Sequence, residues 1–231
     1  SDDRFKDSNE FVAAELANHR NSRGEMGVSP RMDPEEMRQE VKRLGFSGIK
    51  VYHLFVQDER TWDADISKFL IEDHVRIANE ECWTITLHMV KQRAMAEKAN
   101  QERILEYCRK YSDIKLILAH AARGFNPYHT VEGIYHLKGL QNVWCDTSAV
   151  TEAGGFEAIV ETLGHERLLW GSDFPVSHGR GRCIAIGDHF LWLGEETLDW
   201  KTAAAYGPIE PVLLGLESLR SLKLAAQRLK L

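Results

Sequence analysis

The chain has 231 residues, a net charge of -6 and a pI near 5.9, which excludes a basic surface for nucleic acid and suits one globular domain. Its apolar runs are too short to be transmembrane helices or a signal peptide, so we expect a cytoplasmic protein without membrane partners. The four cysteines show no C-x-x-C spacing, which predicts reduced thiols.

Strand-like and helix-like stretches alternate without a Ser- or Pro-rich linker, which predicts one α/β domain over residues 1–231. The clearest helix start is Asp33 followed by Pro34, an N-cap and a first-turn proline, and Gly45 ends that helix. The predicted helices are 9–19, 34–44, 65–80, 100–111, 130–138 and 155–163. The predicted strands are 24–29, 48–55, 84–88, 116–120, 143–148 and 168–173, followed by a long basic loop and terminal helices.

Four of the predicted strands carry an ionisable side chain at or near the carboxyl end: His88, His120, Asp146 and Asp173. In a parallel α/β barrel these strand ends converge on one face. Two histidines and a carboxylate at such a rim are donors for a divalent metal that activates water. Six strands also suit an open doubly wound sheet, but no strand is followed by G-x-G-x-x-G, and the polar strand ends favour the barrel.

With these features the sequence resembles the amidohydrolase superfamily, in the branch of amidohydrolase-related hydrolases and nonoxidative decarboxylases of aromatic acids. The segments that carry the resemblance lie in family order at 48–50, 86–88, 116–120, 142–148 and 167–175. In that family they belong to barrel strands three to eight. The resemblance therefore implies a TIM (β/α)8-type barrel of which this chain lacks the first two strands.

The family carries an H-x-H pair of metal ligands on its first strand, and none of the ten histidines here lies two residues from another. We therefore expect the N-terminal part of the barrel to be absent, by truncation or disorder, or the chain to be a naturally shortened member. An open edge should then separate the strand at 24–29 from the strand at 168–173, and exposed strand edges favour association of copies into a homo-oligomer.

The resemblance implies a role for each strand-end residue. His88 is a metal ligand, Asp173 is a second ligand and a base, and His120 is an acid or base that faces the substrate. The ion is zinc or iron, with zinc preferred. The plain alternatives are a half-buried strand histidine for His88, a turn cap for Asp173 and a structural hydrogen bond to the 123–127 loop for His120. Asp146 is expected to support its neighbours at most.

Further polar residues are candidates for binding the substrate. Lys50 shares a strand face with Tyr52, and we expect Lys50 to contact the substrate or to form a salt bridge rather than to bridge two metals. The loops after the sixth and eighth family strands carry four basic residues, and their clustering indicates an anionic small-molecule substrate. The alternative is ordinary solvated loop charge, which we expect for at least two of the four: Arg123, His178, Arg180 and Arg182. Aromatic residues for an apolar pocket, or for ordinary core packing, are Trp62, Phe125, Trp144 and Trp192.

These expectations favour a metal-dependent hydrolase that cleaves an amide, a lactone or an ester. A decarboxylase or hydratase on the same scaffold is the first alternative. The absence of the H-x-H pair supports another, a catalytically inactive member that acts as a binding or assembly module. The sequence does not identify the substrate.

Overall fold

The computed structural model describes residues 2–19, 21–56, 60–197, 207 and 209–231. Within them, none of the helices combines the length and the apolar character needed to span a bilayer. The chain divides into two compact units, each described by itself. The first unit comprises Ser1–Gln92, Lys98–Leu118 and Leu140–Trp144. The second unit comprises Arg93–Glu97, Ala119–Gly139 and Cys145–Leu231. The single domain predicted for 1–231 stays a prediction.

Six strands form one sheet in sequence order, which confirms the predicted parallel series. Its strands are β1 (Glu25–Val28), β2 (Gly48–Tyr52), β3 (Thr84–His88), β4 (Lys115–Leu118), β5 (Val143–Asp146) and β6 (Leu168–Leu169). Sequence order arises because each connection returns the chain beside the strand it has just left. β1 and β6 are therefore the terminal strands.

The helices are α1 (Asp2–Leu16), α2 (Pro34–Arg43), α3 (Glu72–Glu80), α4 (Lys98–Lys110), α5 (Ala119–Arg123), α6 (Pro127–Gly133), α7 (Ala153–Leu163) and α8 (Leu214–Leu229). α2 begins where the sequence indicates, since Asp33 accepts hydrogen bonds from the amides of Glu35 at 2.9 Å and Glu36 at 3.0 Å. The backbone leaves that helix through Gly45, whose φ of 70° suits a residue without a side chain.

Several predicted elements are wrong. The strand predicted at 168–173 ends at Leu169, so Asp173 lies beyond it. The helix predicted from residue 65 begins at Glu72, because 61–63 and 66–68 form separate 3-10 turns. The helix predicted at 130–138 begins earlier and ends in a 3-10 turn. Among the described residues one helix, α8, stands where terminal helices were expected, and the rest of that segment lies outside them at 198–206 and 208.

The prediction of a long basic loop after residue 173 is also wrong, because this segment contains a β-hairpin. β7 (Gly181–Ile186) pairs antiparallel with β8 (His189–Gly194). The two residues between them are Gly187, with φ 57°, and Asp188. A two-residue turn that contains glycine between apolar runs is a standard hairpin signal, so the sequence did hold the information.

The core of the first unit surrounds its strands. Ile49 and Val51 on β2, and Ile85 and Leu87 on β3, are fully buried. Between them stand two polar residues, Thr86, which is also buried, and Lys50, which is half-buried. Apolar and polar side chains therefore alternate along these two strands.

Helix α1 covers the outer edge of β1. The Asn9 side chain donates to the Gly27 carbonyl at 3.0 Å and accepts from the Gly27 amide at 2.9 Å. These are the backbone groups that a further strand would bind, so the carboxamide takes the place of a neighbouring peptide. Gly27 is also required for space, because a Cβ there would lie 2.5 Å from the Phe5 ring.

Replacing Asn9 by alanine removes both hydrogen bonds to Gly27. We expect the free energy of unfolding to fall by about 1–2 kcal/mol, measured by urea denaturation. Asn18→Ala is the matched control, because Asn18 is exposed near the end of the same segment. Equal denaturation midpoints for the two variants would show that the edge contact contributes nothing.

Candidate active site

His120 lies outside a strand, contrary to the prediction. β4 ends at Leu118, and α5 is a single left-handed turn with φ values of 59° at His120, 52° at Ala121, 58° at Ala122 and 57° at Arg123. Each such residue costs roughly 1–2 kcal/mol relative to a right-handed conformation. Surrounding interactions must therefore hold this turn in place.

The Asp146 carboxylate provides the main interaction of this kind. Its Oδ1 atom accepts from the His120 amide at 2.9 Å and from the Ser148 amide at 3.0 Å, and also from the Ser148 hydroxyl. One carboxylate oxygen at the carboxyl end of β5 thus binds the start of the left-handed turn. The supporting role expected for Asp146 has a definite physical form here.

The same network orients the His120 ring, which is 5% exposed. Its Nδ1 atom lies 3.0 Å from the Ser148 carbonyl oxygen and 3.0 Å from the Ser148 hydroxyl. A carbonyl oxygen can only accept, so we assign the proton of the neutral ring to Nδ1. The lone pair then resides on Nε2, which can accept a proton or bind a metal.

Asp173 lies beside this histidine. Its Oδ2 atom is 3.9 Å from His120 Nδ1, and its side chain is 31% exposed. The Ser172 hydroxyl accepts from the Phe174 amide at 3.3 Å. Ser172 therefore has the turn-capping role that was the alternative for Asp173. The second unit therefore brings His120, Asp146 and Asp173 together.

A separate group of polar side chains lies in the first unit, at the carboxyl ends of β2 and β3. His88 is in register with Tyr52, and its ring centroid is 6.1 Å from that of Tyr52 and 5.7 Å from that of His53. His53 is buried and stacks 4.3 Å from Trp62. Lys50 places its Nζ atom 5.4 Å from the Tyr52 ring centroid.

His53 was not among the predicted site residues, although a signal existed. It directly follows β2, as a histidine at the carboxyl end of a parallel strand. The first unit thus groups His88 with Lys50, while His120 and Asp173 belong to the second. Convergence of His88 with His120 and Asp173 stays a prediction.

The donors for a metal ion are of suitable chemistry, since imidazole and carboxylate bind zinc and manganese. Across the described part of the chain, however, no group of three or more His, Cys, Asp or Glu side chains is arranged to hold an ion. The described residues therefore include donors of suitable chemistry, and the metal ligands stay a prediction.

The basic residues predicted to bind substrate differ in their surroundings. Arg123 is 8% exposed, burial lowers its pKa, and its guanidinium carbon lies 5.4 Å from the Phe190 ring centroid. Arg180 is exposed and donates to the Pro211 carbonyl at 3.0 Å. His178 is exposed and lies 4.9 Å from the Phe174 ring. Of these three, Arg123 has the buried position expected beside His120.

The remaining predicted residues have mixed positions. Arg182 donates to the Thr151 carbonyl at 3.0 Å and lies 3.8 Å from the Glu217 carboxylate, which is a surface arrangement. Trp62 is 58% exposed, whereas Trp144 is half-buried. Phe125 and Trp192 contact each other in the second unit, with ring centroids 5.2 Å apart.

Comparison with known proteins decides the family. A profile of the amidohydrolase family (Amidohydro_2) matches residues 4–200. The chain belongs to the amidohydrolase family. The predicted membership of the superfamily is therefore confirmed. The chain is similar in sequence to a lactonase and in fold to aromatic-acid decarboxylases.

Among characterised proteins, an L-fucono-1,5-lactonase from Burkholderia ambifaria is 30% identical over 39% of this chain and 35% of its own length. A 5-carboxyvanillate decarboxylase from Novosphingobium aromaticivorans, solved with manganese, has a TM-score of 0.51 and 17% identity over 74% of this chain and 60% of that one. A 2,6-dihydroxybenzoate decarboxylase from Rhizobium has a TM-score of 0.50 and 15% identity over 74% and 66%.

These likenesses define the fold and its extent. The six-stranded parallel sheet matches amidohydrolase barrel structures over about 74% of the chain, which confirms the fold class at that level. The chain spans about a third of the lactonase and less than two thirds of the Novosphingobium decarboxylase. The activity of a complete enzyme is accordingly a matter for proposal.

Removing the Asp146 carboxylate leaves three donors without their acceptor. We expect Asp146→Ala to lower the free energy of unfolding by about 2–4 kcal/mol, and Asp146→Asn to lower it less because one acceptor oxygen remains. Chemical denaturation measures both. The exposed Asp113→Ala is the control. If Asp146→Ala were as stable as this control, the carboxylate would not be what holds the left-handed turn.

Proposed function

We propose that this chain forms the catalytic part of a metal-dependent hydrolase of the amidohydrolase type, which uses water to cleave an amide, lactone or ester of a small anionic substrate. The observation that carries the proposal is the held imidazole of His120. The Ser148 carbonyl oxygen lies 3.0 Å from Nδ1 of His120, and Oδ2 of Asp173 lies 3.9 Å from the same nitrogen. A histidine with one committed nitrogen and one basic nitrogen is suited to proton transfer.

The metal proposed is zinc, held by His88 and Asp173 together with donors beyond those two. When bound, a divalent ion activates water and polarises the bond to be cleaved. Manganese is the alternative, because the decarboxylase from Novosphingobium aromaticivorans contains it. Imidazole and carboxylate donors accept either ion.

The chain's own residues then have separate tasks. His120 accepts a proton at Nε2 and returns it to the leaving group, while Ser148 and Asp146 keep the ring in one tautomer. Asp173 is proposed to serve as a base as well as a ligand. Arg123 follows His120 in the same left-handed turn and is proposed to bind the anionic group of the substrate, with Lys50, His178 and Arg180 as further candidates.

A lactone is the first substrate to test, because the Burkholderia ambifaria relative is a lactonase. The chain would be stripped with a chelator, reloaded with zinc or manganese, and assayed with L-fucono-1,5-lactone, an aryl ester and an anilide. Turnover that requires the reloaded ion supports the proposal. Absence of hydrolysis by a chain shown to hold the ion counts against it.

Decarboxylation of an aromatic acid is a second candidate, and one observation favours it. The Phe125 ring lies 5.2 Å from the His120 ring, so an aromatic surface adjoins the proposed acid–base group. Release of carbon dioxide from 2,6-dihydroxybenzoate by the reloaded chain would identify this reaction. Hydrolysis of the lactone or the ester without such release would exclude it as the main activity.

The roles assigned to His88, Asp173 and His120 predict different losses. His88→Ala and Asp173→Ala should lose both the ion and the turnover, because a missing ligand removes the ion itself. His120→Ala should retain the ion and lose about 10²- to 10⁴-fold in rate, the usual contribution of general acid–base catalysis.

Metal content per chain and turnover must be measured together, since turnover alone does not distinguish a lost ligand from a lost proton carrier. His136→Ala is a suitable control, because His136 is exposed in a 3-10 turn of the second unit. A His120→Ala chain that is depleted of metal would reassign His120 as a ligand.

A further inference from the structure

Phe125 connects the β7–β8 hairpin to the His120 ring. The Phe125 ring centroid lies 5.2 Å from that of His120, and also 5.2 Å from those of Phe190 and Trp192. Phe190 and Trp192 alternate on β8 and therefore share one face of the strand, whereas Leu191 between them is 47% exposed. Phe125 itself is 8% exposed. A continuous aromatic contact thus runs from the hairpin to the imidazole.

The tip of the hairpin is fastened to helix α6. Asn126 donates from its side chain to the carbonyls of Gly187 at 3.1 Å and His189 at 2.9 Å. Asp188 accepts from Arg93 at 3.1 Å, and lies 3.0 Å from Nε2 of the buried His129. The hydrogen bond with His129 holds the pKa of Asp188 below its ordinary value, so this carboxylate is charged at neutral pH.

The first strand of the hairpin is fastened as well, on the segment that follows β5. The Cys183 amide donates to the Thr151 hydroxyl at 3.1 Å, and this hydroxyl donates to the Cys183 carbonyl. The Ala185 amide donates to the Glu152 carboxylate at 2.9 Å. Contacts at both places make the hairpin a fixed element of the second unit.

We propose that the β7–β8 hairpin is a positioning element for His120, which acts through Phe125. Asn126 and Asp188 hold the hairpin tip, Phe190 and Trp192 hold the Phe125 ring, and that ring limits rotation of the imidazole. The Ser148 carbonyl oxygen restrains Nδ1 of the same imidazole by a hydrogen bond. Hydrogen bonding and aromatic packing together therefore define where Nε2 points. The catalytic consequence rests on the proposed function of His120, but the restraint itself does not.

Histidine-labelled protein allows the restraint to be observed directly by NMR. The His120 ring signal is identified by its loss in His120→Gln. We expect Trp192→Leu and Asp188→Asn to shift or broaden that signal, and Trp192→Phe to restore it because an aromatic ring again contacts Phe125. Leu191→Ala, on the opposite face of β8, should leave the His120 signal unchanged. The signal of the exposed His165 should stay unchanged in every variant.

Kinetics with the metal-loaded chain give a second readout. Loss of positioning should lower kcat by roughly ten- to a hundredfold with little change in KM, because misplaced reacting groups slow the chemical step. If no turnover is found, the proposed function fails while the NMR comparison still decides the restraint. An unshifted, sharp His120 signal in folded Asp188→Asn and Trp192→Leu overturns the proposal, and Phe190→Leu replaces Trp192→Leu should the latter not fold.

Discussion

The Asp146 carboxylate is the interaction on which the second unit's site depends. Three donors from two segments meet on one oxygen, the amides of His120 and Ser148 and the Ser148 hydroxyl. Without it, a left-handed turn of four residues that all carry side chains would be unfavourable. The carboxylate offsets that cost, and it also holds Ser148, whose carbonyl oxygen accepts from Nδ1 of His120.

The site is therefore assembled from segments beyond the strands rather than from strand ends alone. The left-handed turn follows β4, Ser148 follows β5, and Asp173 stands four residues after the end of the two-residue strand β6, with φ 56°. Phe190 and Trp192 of the hairpin pack against Phe125, which contacts His120. In such folds the sheet is the rigid scaffold, and the loops that follow its strands carry the functional side chains and vary from one enzyme to another.

The first unit presents a different combination, with His88 and His53 near Tyr52 and Lys50. The buried apolar positions of its strands alternate with Lys50 and Thr86, and the aromatic and imidazole rings stand at or just beyond the carboxyl ends. The chain belongs to the amidohydrolase family, and it covers only part of its relatives' length.

Signals that act over a few residues were enough to determine much of this protein from sequence. β3 has the predicted bounds, Asp33 and Pro34 start α2, and the strand-end histidines and aspartates pointed to the right family. The conformation of His120 was decided by tertiary structure, since its acceptor lies 26 residues away on β5. The same holds for the hairpin's place, which Asn126 determines from 61 residues away. Local patterns encode backbone preference, whereas contacts between distant residues exist only once the chain has folded.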